Sequence, residues 1–315
     1  MPSCRRRRAR TSSRGLGSLL AVALLVVALL HGPAEARRRT RSKVKRGPPP
    51  VAALTKDGRP NVQASAAIVV DLDSGDLLYA KRPDDSVPIA STGKLVLALT
   101  VRRKGVVLAA KTVITATDRL LARGGAKSRL LEGRAFSNHD LLHAMLMGSD
   151  NRACTAVGRG AGLEPERLIA EMNETARELG LRRTRFTDPS GLHGNTSTAR
   201  EMITVLQAAL ADPVIARILG TVTHTVVSAD AKRVQVTYTN TNHLLRTRRD
   251  CIGGKTGFTD EALYCLVAAG RHGGRRVGMV FLGAQGELTR FADYSRVASW
   301  LDQGGPERPP TLPGK

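Results

Sequence analysis

Residues 88–104 read Pro88-Ile89-Ala90-Ser91-Thr92-Gly93-Lys94-Leu95-Val96-Leu97-Ala98-Leu99-Thr100-Val101-Arg102-Arg103-Lys104. No proline follows Pro88, and Leu95, Val96 and Leu99 recur at helical spacing, which predicts a helix opening at Ser91. Residues three apart on a helix share a face, so the Lys94 amine can reach the Ser91 hydroxyl. A lysine desolvated beside other cations loses its charge readily and can accept the hydroxyl proton. At the helix start, the dipole would favour negative charge developing on Ser91. Ser91 is therefore the candidate nucleophile and Lys94 its candidate base. Alone, S-x-x-K is a weak signal: a chain of this length holds about one by chance.

Two further clusters downstream strengthen it. Ser149-Asp150-Asn151 follows an apolar helical run, and Lys255-Thr256-Gly257 lies in a predicted strand. Ser149 suits a proton relay toward a leaving amine, and Asn151 suits a substrate amide. Lys255 and Thr256 offer a charge and a hydroxyl donor to a carboxylate. Gly257 has no side chain, so an extended substrate can lie flat along that edge.

Beyond these clusters the periodicity changes along the chain. Strands are predicted at 66–71 and 77–80, joined by Asp73-Ser74-Gly75, and again at 254–259, 263–269 and 277–282. Between them the chain reads as mostly helical. Ser137 and Asp140 form a capping-box pattern opening a helix through Met147, and further helices are predicted at 164–179, 198–210 and 289–303. Strands at both ends with helices between imply an α+β fold: one antiparallel sheet built from both chain ends, with a helical subdomain.

The formal net charge of +22 suggests nucleic acid until its placement is considered. Arg5, Arg6, Arg7, Arg8, Arg10 and Arg14 precede an uncharged apolar run, Leu19–Leu30, and then Ala34-Glu35-Ala36. That order describes a secretory signal over residues 1–36, and the run is short for a membrane span of about 20 residues. An uncleaved anchor is the competing reading, and the export route stays open. Residues 37–60 hold a second basic cluster ending in three prolines and read as a linker. It either spaces the domain or holds it near anionic envelope polymers. The catalytic domain is expected over 61–305, with a flexible tail at 306–315. Aromatic residues make up only 3% of the chain, too few for a base-stacking surface, so no nucleic-acid partner is expected. Cys154, Cys251 and Cys265 have apolar neighbours, allow one disulfide at most, and read as small buried hydrophobes.

The three clusters, in this order, resemble the penicillin-binding proteins and class A β-lactamases. The similarity is fullest to the low-molecular-mass penicillin-binding proteins, serine-type D-Ala-D-Ala carboxypeptidases and endopeptidases. Pro88-Ile89-Ala90, Leu146 to Ala153, Asp188-Pro189-Ser190-Gly191-Leu192, Thr196 to Arg200 and Gly253 to Thr259 all carry it. The resemblance implies a DD-peptidase/β-lactamase-like fold with an acyl-enzyme on Ser91. The backbone amides of Ser91 and Phe258 would form the oxyanion hole, with Lys94 and Ser149 catalytic and Asn151, Lys255, Thr256 and Gly257 binding substrate. The substrate would be peptidoglycan stem peptides ending in D-Ala-D-Ala, with β-lactams as covalent inhibitors, no cofactor, and a site in the periplasm or cell envelope. Carboxypeptidase activity is the first reading. A D,D-endopeptidase acting on cross-links, or a non-catalytic wall- or β-lactam-binding module, is the alternative.

Several details qualify that picture. A class A β-lactamase needs a glutamate between the second and third clusters, whereas 186–193 offers only Asp188. Gly93 stands where the family carries Thr or Ser, which removes a hydroxyl and costs up to about 1 kcal/mol in a helix. His139 and His143 sit at metal-ligand spacing, but Asp140 replaces the glutamate of a zinc protease and no third ligand is evident, so no metal is expected. His193, His224, His243 and His272 read as ordinary polar positions.

Overall fold

A computed structural model describes residues 51–306. The signal, the basic part of the linker and the tail from residue 307 lie outside the described residues. Residues 51–60, counted above with the linker, form a turn, exposed up to Arg59, closed by a bridge between Leu54 and the buried Pro60.

Strand β1 (Ala66–Asp71) is buried along its whole length, which fits an unbroken apolar run covered on both faces. It pairs with β2 (Leu77–Lys81) on one side. On the other it pairs with the last strand, β11 (Arg275–Ala284), with Ala66 opposite Leu282. β10 (Leu263–His272) and β9 (Cys251–Thr259) complete an antiparallel sheet in the order β2-β1-β11-β10-β9. The sheet is thus assembled from both chain ends, and the fold class is α+β as expected. β9, which carries Lys255-Thr256-Gly257, is its outer edge.

The chain between these strands forms the helical part. It runs through β3 (Val87–Pro88), a 3-10 turn (Ala90–Gly93), α1 (Lys94–Arg103), β4 (Lys111–Val113), α2 (Ala116–Leu121) and β5 (Ala135–Ser137). Then come α3 (Asn138–Met147), α4 (Arg152–Gly160), α5 (Pro165–Glu178), β6 (Thr196–Ser197), α6 (Ala199–Ala211) and α7 (Pro213–Gly220). β7 (Thr223–Val227), β8 (Gln235–Thr239) and α8 (Leu244–Thr247) lead back to β9, and α9 (Thr289–Asp302) closes the chain.

Strand alternation sends Ile68, Val70, Val267 and Val280 into a large core shared with the helices, while Val69, Leu266, Met279 and Phe281 enter a smaller core under α9. α1 is buried from Lys94 through Val101. A helix covered on nearly every side must be apolar around its circumference, which explains why Leu95 to Leu99 show little amphipathic pattern.

Three differences from the sequence expectation have physical causes. The helix begins at Lys94, not Ser91, because the serine lies in a tight 3-10 turn entered through Ala90 at φ 47. At α3, Ser137 accepts from the Asp140 amide at 3.0 Å, but the Asp140 carboxylate bonds His224 instead of returning to the cap. The hairpin β7–β8 was not anticipated, although Thr223–Val227 and Gln235–Thr239 alternate in burial. Its long loop carries none of the two-residue turn signals that announce a hairpin.

The two chain ends are tied by one buried carboxylate. Asp293 of α9 accepts the backbone amides of Gln63 at 2.9 Å and Ala64 at 2.8 Å, and also bonds Arg296. Asp293→Ala would leave both donors without a partner, at about 1–3 kcal/mol each. Urea unfolding is expected to show a loss of roughly 2–6 kcal/mol with an unchanged slope.

Candidate active site

The 3-10 turn, the loop after α3 and the edge strand β9 meet at the head of a ≈ 660 Å³ cleft lined by Ser91, Gly125, Ser149, Thr256, Phe258 and Arg290. The three clusters are far apart in sequence, and the structure brings them together. Lys94 Nζ lies 2.6 Å from Ser91 Oγ, 2.7 Å from Asn151 Oδ1 and 3.2 Å from both Oγ and the carbonyl of Ser149. Lys255 Nζ reaches the same Ser149 Oγ at 3.1 Å and donates to the Thr256 carbonyl at 2.7 Å. A continuous polar chain therefore runs Ser91–Lys94–Ser149–Lys255.

Both lysines are 0% exposed. Burial pushes each amine below the ordinary lysine range, and Lys94 and Arg290 press Lys255 down further. Two buried amines joined through one hydroxyl hold two protons only at high cost, so the pair sheds one at a lower pH than a free lysine does. A neutral Lys94 can donate to Asn151 and the Ser149 carbonyl, which leaves its lone pair for the Ser91 proton once that hydroxyl turns from the Ser190 carbonyl.

Backbone geometry places the reacting groups. Ala90 and Ser149, beside or within the reacting set, adopt left-handed φ values of 47 and 56, conformations that cost non-glycine residues energy and cluster at functional sites. Gly257 packs directly on the nucleophile turn: a Cβ there would lie 3.0 Å from the Ile89 carbonyl and 3.1 Å from the Ser91 amide. The Thr256 carbonyl faces Lys255, so by the two-residue period the Phe258 amide shares that side of the strand. Phe258 stacks on Tyr264 and is 46% exposed at the cleft. Thr256 Oγ1 lies 2.7 Å from Thr241 Oγ1.

Asp150 faces away from the reacting groups and acts as a post. Its carboxylate accepts from Ser128 Oγ, the amides of Arg129 and Arg152, and Tyr238 Oη at 2.7 Å. The loop over the cleft is held just as closely, since a Cβ on Gly125 would fall 2.0 Å from Asn151 Nδ2. Asp188 accepts from the Ser190 hydroxyl and from the amides of Ser190, Gly191 and His193. It shapes a loop whose Ser190 carbonyl accepts from Ser91 Oγ at 3.2 Å. With its oxygens occupied, Asp188 does not present a base to water.

Gly93 has a structural explanation. It lies at the junction of turn and helix, and a Cβ would sit 3.0 Å from the buried Phe186 ring. The space of the missing side chain is filled by Phe186, and the glycine is not in a helix interior, so its backbone cost is smaller than first reckoned.

Sequence reasoning missed Arg290. It is 6% exposed, donates to the Gly257 carbonyl at 2.8 Å and packs over Tyr264. Its only local signal was a basic residue in the first turn of α9, where the helix dipole disfavours one. Thr241, the Gly124-Gly125 loop and the Tyr238 post were also missed, for want of any chemical pattern. Among the described residues the three cysteines are free; Cys154 and Cys265 are buried and Cys251 half-buried.

A family model described as D-alanyl-D-alanine carboxypeptidase matches residues 53–286. The chain belongs to this family of serine peptidases. It is 34% identical over 263 residues to a D-alanyl-D-alanine endopeptidase of Pseudomonas aeruginosa, covering 83% of this chain and 84% of the relative. It is 32% identical over 255 residues to the Escherichia coli D-alanyl-D-alanine endopeptidase, covering 80% and 82%. Among solved structures, the D-alanyl-D-alanine carboxypeptidase of Mycobacterium tuberculosis superposes with a TM-score of 0.71 at 28% identity, covering 79% of this chain and 94% of that one. A mutant of the Streptomyces K15 DD-transpeptidase gives 0.72 at 26% identity, covering 77% and 98%. The protein is thus a serine-type D-alanyl-D-alanine peptidase with the fold of the penicillin-binding enzymes.

If Lys94 is the base, the acylation rate with a penicillin follows its neutral fraction. The rate is expected to rise with pH through a limb lying below the value of about 10.4 for a free lysine. Rapid-mixing kinetics across pH would show this; a limb at the free-lysine value would contradict it.

Proposed function

We propose that this peptidase hydrolyses peptidoglycan peptides at D-alanyl bonds, with D,D-endopeptidase cleavage of cross-links as its main reaction and removal of terminal D-Ala as the second. The observation that carries the chemistry is the chain Ser91–Lys94–Ser149–Lys255 at the head of an open cleft. Neutral Lys94 takes the Ser91 proton as Oγ attacks the D-alanyl carbonyl. The Ser91 and Phe258 amides receive the oxyanion, the kind of preorganised stabilisation that usually contributes most to the rate. Ser149 passes the proton to the leaving amine. The bond to that amine breaks, an acyl-enzyme remains on Ser91, and water activated by the same lysine releases the shortened peptide. Asn151 holds the substrate amide, and Lys255 and Thr256 bind the carboxylate. The substrate lies along β9, where Gly257 keeps the edge flat.

From the sequence, carboxypeptidase was the first reading and endopeptidase the alternative. Two relatives named endopeptidases, each aligned over at least 80% of both chains, support moving the emphasis to cross-links. The carboxypeptidase remains the competing specificity, favoured by the Mycobacterium tuberculosis structure. Both reactions occur on the wall, so we place the enzyme in the cell envelope, exported by the 1–36 segment. N-terminal sequencing of the mature chain is then expected to begin at Arg37.

Mass spectrometry after incubation with a penicillin is expected to show a stable adduct confined to the Ser91 peptide and absent from Ser91→Ala. With purified muropeptides, a higher kcat/KM on a cross-linked dimer than on a pentapeptide monomer supports the endopeptidase, and the reverse order supports the carboxypeptidase. A folded enzyme that forms no adduct and releases neither product would be a binding module.

A further inference from the structure

His139 and His143 lie one turn apart on α3, and β7 brings a third imidazole, His224, against them. The sequence had left this pair without a third ligand; the hairpin it did not foresee supplies one. The His143 and His224 rings stack with centroids 3.8 Å apart, and the His139 ring meets His143 edge-on at 4.4 Å. One ligand nitrogen from each ring lies within 4.8 Å of those of the other two. We propose that His139, His143 and His224 bind one late divalent transition-metal ion, of the zinc class, at a site joining α3 to β7 outside the catalytic cleft.

Hydrogen bonding prepares two of the three rings to be ligands. His143 donates from Nδ1 to the His139 carbonyl at 2.9 Å. A carbonyl only accepts, so the lone pair of the neutral ring is on Nε2, which has no hydrogen-bond partner among the described residues. His224 presents Nε2 to the Asp140 carboxylate at 2.8 Å, which leaves Nδ1 with the lone pair. Imidazoles held by a backbone carbonyl and by a carboxylate are the arrangement that orients and strengthens metal-binding histidines. It also explains why Asp140 abandons its capping role.

Charge and protonation favour the same outcome. Burial holds His143 down to about 4, with His224 and His139 pushing the same way, so at neutral pH it needs no deprotonation before binding. His139 is also lowered, by burial first, with Arg217 disfavouring its charged form and Asp140 opposing. Arg217 works against a metal here, and Asp140 is its counterweight. Three imidazoles form a donor set suited to zinc, copper or nickel and unsuited to calcium or magnesium. Tetrahedral binding needs nitrogens roughly 3.3 Å apart. The half-buried rings of His139 and His224 must therefore turn inward around the fixed His143. Three protein ligands leave a fourth position for a water. The ion's effect would be structural: it would clamp β7, whose partner β8 carries Tyr238, the hydroxyl that steadies Asp150.

The test uses the tag-free mature enzyme stripped with a chelator and titrated with Co(II), then competed with Zn(II). One equivalent per chain with a tetrahedral visible spectrum is expected, together with a rise in Tm on adding zinc. Asp140→Asn should weaken zinc binding about 10- to 100-fold. His224→Gln, on the less buried hairpin, should abolish both the spectrum and the Tm rise while circular dichroism stays native. His272→Gln, which removes the separate Asp250–His272–Asp302 cluster, should bind like wild type. No saturable binding by the wild type, or full retention of it in His224→Gln, would overturn the proposal.

Discussion

A lysine amine with no contact with solvent governs the architecture of this enzyme. Lys94 sits at the head of a helix enclosed by other helices and by the sheet, and its donors need partners that only distant segments can give. Asn151, the Ser149 carbonyl and hydroxyl, and Ser91 are those partners. Without them the buried amine would carry an uncompensated desolvation cost. With them, its depressed proton affinity is what the proposed mechanism uses. The same burial that makes the group costly suits it to the base role proposed for it.

The surroundings of that amine are held by groups outside the chain Ser91–Lys94–Ser149–Lys255. Asp150 gathers donors from the loop at 128–129, the start of α4 and β8, and so fixes the strained Ser149 between Lys94 and Lys255. Asp188 folds the loop that meets Ser91 from the other side. Arg290 reaches from the last helix to the Gly257 carbonyl. Asp150 and Arg290 tie together segments far apart in sequence, whereas Asp188 gathers the amides of its own loop. The reacting atoms are therefore preorganised by the fold rather than by their sequence neighbours.

Seen this way, Gly93 is less a departure than a repacking. The Phe186 ring occupies the volume a larger residue would take, and the junction of turn and helix tolerates glycine. The cost anticipated from the sequence assumed a helix interior, and the 3-10 turn removes that assumption. The capping-box reading at Ser137 was half right for a related reason: the short Asp140 side chain has a better partner in His224, which no local pattern announces.

The sequence by itself determined the parts that depend on short spacing. Ser91 and Lys94 share a face because helical geometry puts them there, the strand at Ala66 reads as buried because it is apolar without alternation, and Lys255-Thr256-Gly257 carries its meaning in three residues. It also placed the sheet at both chain ends, since strand patterns flank a helical middle. Only the tertiary structure decided which lysine partners which hydroxyl, that Asp150 and Asp188 serve as posts, that Arg290 reaches the edge strand, and that His224 joins His139 and His143. Those relations depend on contacts between residues up to 106 positions apart, as for Lys255 and Ser149. Periodicity and composition are local properties of a chain, whereas desolvation and hydrogen-bond partnership are set by whatever the fold brings alongside.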